Sequence, residues 1–192
     1  MPSEPAPDDP LSQAVWPAPD SDVRYSDPVE AVRSFAVDFV GFVGANFGEF
    51  RAGDSRSGEV EVRVGEAGPA TVVFVRQLAD DDSWWVTGSG TQNIVVQQPD
   101  ALTTIESPLT INGLARAFEG RVDIELRADD NDQPLFHEVV TGGGGSELEP
   151  FEETFEFDNP AVRGGTLVLA TFSPDTGSVL EAEVLRYFFN AG

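Results

Sequence analysis

In Arg121-Val-Asp-Ile-Glu-Leu-Arg127, three aliphatic residues, Val122, Ile124 and Leu126, alternate with four charged ones. A period of two marks a strand with one buried face and one wet face. Working outward, similar runs stand at residues 134–141, 151–158, 165–172 and 178–189, with a leading strand around residues 105–113. Between them lie turn-forming clusters: Asp129-Asp-Asn-Asp132, Gly142-Gly-Gly-Gly145, Asn159-Pro160 and Pro174-Asp-Thr-Gly177. About six or seven short strands in roughly ninety residues is the spacing of a β-sandwich.

Ile105-Glu-Ser-Pro-Leu109, Ile111-Asn-Gly113 and Ala117-Phe-Glu-Gly120 lead into that alternating strand, and Pro150-Phe151, Phe155-Glu-Phe157 and Asp175-Thr-Gly177 follow it. Together they resemble the immunoglobulin-like domain found in bacterial spore germination proteins and in many other bacterial envelope proteins. The resemblance covers about residues 103–190, and its motifs are structural: a Ser-Pro strand entry, a Gly turn, an apolar plug and a hairpin turn. It implies a non-catalytic, extracytoplasmic sandwich, frequently attached to another module. Sporulation is not implied, since the domain is common in other contexts.

Composition narrows the partners. The chain has 192 residues and a formal net charge of −23, and its 11 basic residues are all Arg. Such a field repels nucleic acid phosphates and anionic lipid headgroups. Halophilic adaptation and GC-rich coding both produce an acidic chain without Lys. With no Cys there is no disulfide, thiolate nucleophile or Cys-based metal site. No stretch of eighteen apolar residues is present, so direct membrane insertion of this chain is not expected. The opening Met1-Pro-Ser-Glu-Pro-Ala-Pro-Asp-Asp-Pro10 lacks the basic and apolar regions of a signal peptide. It reads as the start of a secreted or lipid-anchored chain whose export signal has been removed.

The pattern changes along the chain. Residues 1–24 are rich in Pro and acids and poor in apolar side chains, the composition of a disordered tether. Trp16 is the residue there able to dock on a domain or a partner. Asp27-Pro-Val-Glu30 has the form of a helix start, with Asp27 as cap and Pro28 at the first helical position. The helix is predicted to reach about Val43, with Val32, Phe35, Ala36, Phe39, Val40 and Val43 on its apolar face. Strands are predicted at residues 58–65, 70–78 and 84–96, with Asp80-Asp-Asp-Ser83 as a turn. The expected fold is therefore a small α+β domain at residues 25–98, one helix on an antiparallel sheet, a linker at 99–102, and an all-β immunoglobulin-like sandwich at 103–192. The order of the first domain is similar, in topology alone, to part of the nuclear-transport-factor-like cone fold.

Chemistry is thinly supplied. His137 is the only histidine, without HExxH, G-x-S-x-G or a second His ligand, and reads as a solvated strand residue. Ser89, in Gly88-Ser-Gly90, lacks a nucleophile elbow; its small neighbours suit a bulge or a close backbone approach. Glu59/Glu61 and Glu152/Glu153/Glu156 are acids near strands, and among 34 acids some such pairs arise by chance. Asp80-Asp-Asp82 and Asp129-Asp-Asn-Asp132 have the composition of calcium loops without the ligand spacing. Gly142–Gly145 lacks the Lys and Ser/Thr of a phosphate loop and reads as a mobile connection. Trp84 and Trp85, adjacent on a strand, must point to opposite faces. One of them is then available to pack on the second domain or to form a binding platform, which makes this pair the candidate binding residues. No catalytic residue, metal ligand or cofactor is predicted.

The sequence thus points to a non-enzymatic, extracytoplasmic binding or scaffolding protein of the bacterial cell envelope, with a protein or cell-wall glycan as partner. The alternative is a carbohydrate-active enzyme or a ligand-sequestering cone in the first half. A polar-lined cavity inside the first half would favour the alternative, and a filled core the scaffold.

Overall fold

Helix formation begins where the sequence supplies its own cap. Asp27 Oδ1 accepts hydrogen bonds from the amides of Val29 and Glu30 at 2.8 and 3.0 Å, and Pro28 occupies the first helical position. These contacts satisfy amides that a first helical turn otherwise leaves without partners. In the computed structural model, which describes residues 9–131 and 133–190, helix α1 spans Pro28–Ser34 and continues as a π-helical stretch, Phe35–Val40. It stops short of the predicted end. Gly41 takes φ +91°, a left-handed conformation that favours glycine, and Val43 lies exposed beyond it.

The strands are β1 (Ala45–Phe47), β2 (Arg51–Ala52), β3 (Ser57–Val64), β4 (Ala70–Arg76), β5 (Trp85–Thr91), β6 (Ile94–Gln98), β7 (Thr104–Ile105), β8 (Leu109–Ala115), β9 (Arg121–Ala128), β10 (Phe136–Thr141), β11 (Glu149–Phe155), β12 (Gly164–Phe172) and β13 (Val179–Phe189). The large sheet runs β1-β3-β4-β5-β13-β12-β9-β10, with β2 on β3 and β7 on β13; the small sheet is β11-β8-β6. Apart from the parallel β7–β13 contact, the strand pairings are antiparallel. Two predicted strands are each divided. Residues 84–96 become β5 in the large sheet and β6 in the small one, and residues 105–113 become β7 and β8 on either side of Ser107-Pro108.

The two sheets enclose one core between Val122, Ile124 and Leu126 of β9, Leu167 and Leu169 of β12, Tyr187 and Phe189 of β13, and Ile111, Phe151 and Phe155 of the small sheet. A second core lies on the opposite face of the large sheet. There Val32, Phe35, Ala36 and Val40 of the helix meet Val60, Val62, Val73, Val75 and Val86, and also Val168, Ala170, Ala182 and Val184 of β12 and β13. The predicted boundary at residues 99–102 therefore divides neither the large sheet nor this core. The concave interior that a ligand-sequestering cone needs is filled by Val32, Phe35 and Ala36, each fully buried.

The seam between the halves is short. β5 and β13 pair in register only at Val184↔Ser89, and side chains reinforce the crossing. The Ser89 hydroxyl donates to Ala182 O at 2.8 Å, and the Ala182 amide donates to the Thr71 hydroxyl at 3.1 Å. A Cβ on Gly88 would stand 2.6 Å from Val184 O, so the small residues do permit a close backbone approach.

Beyond that crossing, residues 9–25 lie against the open side of β5. Val15 N and Val86 O are 2.8 Å apart, as are Val86 N and Trp16 O, and Trp84 N and Tyr25 O. Arg186 Nε donates to Ser12 O at 2.9 Å. The Trp16 indole donates to Ser34 Oγ, as does the Tyr25 hydroxyl, and the Trp16 ring lies 5.8 Å from that of Phe39. The expected tether is thus corrected over residues 9–24, while its first eight residues lie outside the described ones. The physical reason is that main-chain hydrogen bonds and one docked indole hold the segment, and composition registers neither.

Candidate functional site

β4 places alternate side chains on two faces. Thr71, Val73 and Val75 turn toward the helix, and Val72, Phe74 and Arg76 toward the other side. On that side β3 contributes Glu59, Glu61 and Arg63, and β5 contributes Gly88 and Gly90, whose missing side chains keep the surface low. β6 and β13 supply Val95, Glu183 and Leu185. The result is an open groove of about 950 Å³ that spans the seam between the halves. Phe74, Val95 and Leu102 along it are 44%, 39% and 46% exposed, an apolar line bordered by charged residues. Exposed apolar surface rimmed by polar groups marks interaction sites.

The glutamates in and beside the groove differ in how they are held. Glu59 pairs with Arg51 at 3.2 Å and Glu61 with Arg63 at 2.6 Å; the Arg63 hydrogen bond lowers the Glu61 pKa below its ordinary value. Glu181 is buried and engaged by the Thr91 hydroxyl, by the Asn93 amide at 3.0 Å and by the Thr171 hydroxyl at 3.2 Å. Glu183 accepts one hydrogen bond, from the Thr91 amide at 3.2 Å, and burial pushes its carboxyl up to about 7. Desolvation penalises the charged form, and a single amide donor compensates only part of that.

The sequence candidates fall elsewhere. Trp84 and Trp85 do face opposite ways, but neither forms an open platform. Trp84 is half-buried against the helix-side core, its ring edge-on to Phe50 at 5.1 Å. Trp85 is fully buried, with the Arg24 guanidinium 4.8 Å from its ring. The segment carrying Arg24 covers the face expected to be open, and Phe74 is the aromatic that β3–β5 leave exposed in the groove. His137 is exposed on β10, 3.5 Å from Asp123. Glu152 and Glu153 are exposed on β11, while Glu59 and Glu61 line the groove as partners of Arg.

Several apparent loops are structural. Asp129 is bidentate to Arg186, a buried guanidinium, and Asp81 meets Arg24 at 3.3 Å. Asp132 of the same run lies outside the described residues. Gly142 and Gly143, expected to be mobile, are buried: Gly143 N donates to Ala115 O at 2.8 Å, and a Cβ on Gly142 would sit 2.6 Å from that oxygen. Glycine here permits close packing against β8. The residues that sequence reasoning missed are Phe74 and Glu183. Val72 and Phe74, apolar at the outward positions of an alternating strand, were the available signal.

Two sheets packed through an apolar core define the C-terminal part as an immunoglobulin-like antiparallel β-module. Residues 93–178 match the family model described as the immunoglobulin-like domain of bacterial spore germination. The match begins before residue 103 and takes in β6, which pairs with β8 from Ile94↔Ala115 to Gln98↔Asn112. This is not a known family of enzymes. Comparison with curated proteins and with solved structures gives no match. Among the described residues no helix is long and apolar enough to cross a membrane, and no group of His, Cys, Asp and Glu is placed to hold a metal ion.

Proposed function

We propose that this chain is a non-enzymatic binding or scaffolding module of the bacterial cell envelope, working outside the cytoplasm, with an envelope protein or cell-wall glycan as its partner. The observation that carries the reading is the match of residues 93–178 to an immunoglobulin-like domain family that is not known for catalysis. The binding face in this reading is the groove across β3, β4, β5 and β6, because it brings exposed apolar residues together beside charged ones.

The test is co-sedimentation with purified cell-wall sacculi and, separately, retention of a solubilised envelope protein fraction, using the intact chain and a Phe74→Asp/Val95→Asp variant. Retention by one fraction that the variant loses, at unchanged melting temperature, supports the reading. Absence of retention by both fractions, or retention indifferent to the variant, overturns it.

A further inference from the structure

The carboxyl of Glu183 and the ring of Phe74 both stand beside the outer face of Gly90. A Cβ built on Gly90 would stand 3.6 Å from Glu183 Oε2 and 3.6 Å from two carbons of the Phe74 ring. The backbone of β5, bare of a side chain at Gly90, thus floors a gap that a carboxyl and an aromatic ring adjoin. The groove widens from there toward Val95 and Leu102. Glu59 and Glu61 have arginine partners, but no cation within 4.0 Å is paired with Glu183 among the described residues.

We propose that the gap above Gly90 is a site for a primary alkylammonium group on an aliphatic stem, as at the end of a lysine side chain of a peptide partner. A half-buried carboxylate offers a charge-assisted hydrogen bond, and a ring adds attraction for a cation and apolar contact for the stem. The stem matters because the entrance is lined with apolar side chains. Charge favours this occupant at long range as well, since a chain of net charge −23 attracts cations and repels anions. The inference rests on the groove being the binding face, and deepens that reading by naming the chemical group taken there.

The surroundings fix the direction of the pH effect. Glu181 and Tyr187 on β13, Glu59, Glu61 and Arg63 on β3, Arg51 on β2, Arg76 on β4 and Asp100 before β7 are the other titratable groups that line or adjoin the groove. Arg63 stays with Glu61, and the Tyr187 hydroxyl is pushed upward by burial first and by Glu183 second, so it remains neutral. Arg186, on the other face of β13, is committed to Asp129 and Ser12 O. With burial holding Glu183 near 7, the free site is protonated below that pH and ionised above it. An ammonium binds the ionised form, so affinity rises as pH increases through about 7 and then levels off.

The experiment is a titration of the full chain with Nα-acetyl-lysine amide, followed by amide NMR. Its Nε-acetylated counterpart, which keeps the stem and loses the charge, and glucosamine, an amine on a sugar, serve as the comparison probes. Saturable shifts at Gly90, Thr91 and Glu183 with the lysine amide alone, stronger at pH 8 than at pH 5, are expected. Glu183→Gln keeps the shape of the side chain and should weaken binding tenfold or more. Gly90→Ala puts a methyl group into the gap at ordinary contact distance, so it should block binding while the chain stays folded. Phe74→Leu provides an independent arm should Gly90→Ala disturb the strand. Equal binding of the Nε-acetylated probe, binding of glucosamine in place of the lysine amide, or full affinity in Glu183→Gln overturns the proposal. If the lysine amide leaves the spectrum unchanged while envelope retention is still lost in Phe74→Asp/Val95→Asp, this site fails and the binding-face reading stands.

Discussion

β9 and β12 lie side by side in the large sheet, in register from Ala128↔Gly165 to Asp123↔Ala170, yet their sequences follow different rules. On β9 the buried Val122, Ile124 and Leu126 alternate with Asp123, Glu125 and Arg127. Arg127 pairs with Glu125 and reaches Phe39 O at 2.7 Å, so even this charged face leans on the helix at one edge. On β12 both faces are buried from Gly164 to Thr171: Leu167 and Leu169 enter the core between the sheets, and Val168 and Ala170 enter the core beneath the helix. What differs is the number of covered faces. Antiparallel strands commonly keep one wet face, so a continuous apolar run in such a strand signals a further layer. Here that layer comes from the helix and β3–β5, which cover the second face of the immunoglobulin-like part.

The most severe way to break this comparison is to remove the layer. Residues 93–190 expressed alone should lack a cooperative thermal transition, because Val168, Ala170, Ala182 and Val184 lose their cover. A fragment that melts within a few degrees of the full chain would show that β12 needs no second cover. Next in size is a paired substitution. Val168→Asp, which places an unpaired charge in a closed core, should cost more than about 4 kcal/mol in chemical denaturation, against less than about 1 kcal/mol for Glu125→Ala on β9. Comparable effects at the two positions would sink the distinction. Where β9 ends, Asp129→Ala leaves the Arg186 guanidinium buried without its carboxylate, and a loss of about 3–5 kcal/mol is expected. A loss below about 1 kcal/mol would mean that water replaces Asp129 easily.

The smallest effect concerns pH. Glu183 has a folded pKa raised from 4.5 to about 7, so folding favours its protonated form. Its stability contribution is fully present below about 4.5 and is lost as pH rises toward 7. Glu183→Gln should therefore gain stability relative to the natural chain between pH 5 and 8, with no gain at pH 4. A constant difference across that range would show that the carboxyl is better hydrated than its surroundings imply.

The alternation at residues 121–127 and the Asp27-Pro28 helix start were legible because each follows from the period or capping of one local segment. The family resemblance was likewise legible from turn and strand-entry residues. Long-range pairing was not. Nothing local separates β5 from β6, since the strand pattern continues through Gln92-Asn93 while the chain changes sheets. Residues 9–25 escaped for another reason: their hold on β5 is made by backbone groups, which every sequence carries. The groove was partly visible. Phe74 stood at an outward position of β4, but Glu183 reaches it from a strand more than a hundred residues away along the chain, and only the fold brings them together.

The hydrogen bond from Arg186 to Ser12 O closes a span of 174 residues, and this sets an order of events during synthesis. Ser12 leaves the ribosome long before Arg186 exists. At translation rates of about 5–20 residues per second, the interval is about 9–35 s. Until β13 follows, β5 lacks its β13 crossing, and Ala182 and Val184 are not there to complete the layer beneath the helix. The layer beneath the helix can therefore close only once β13 has been made.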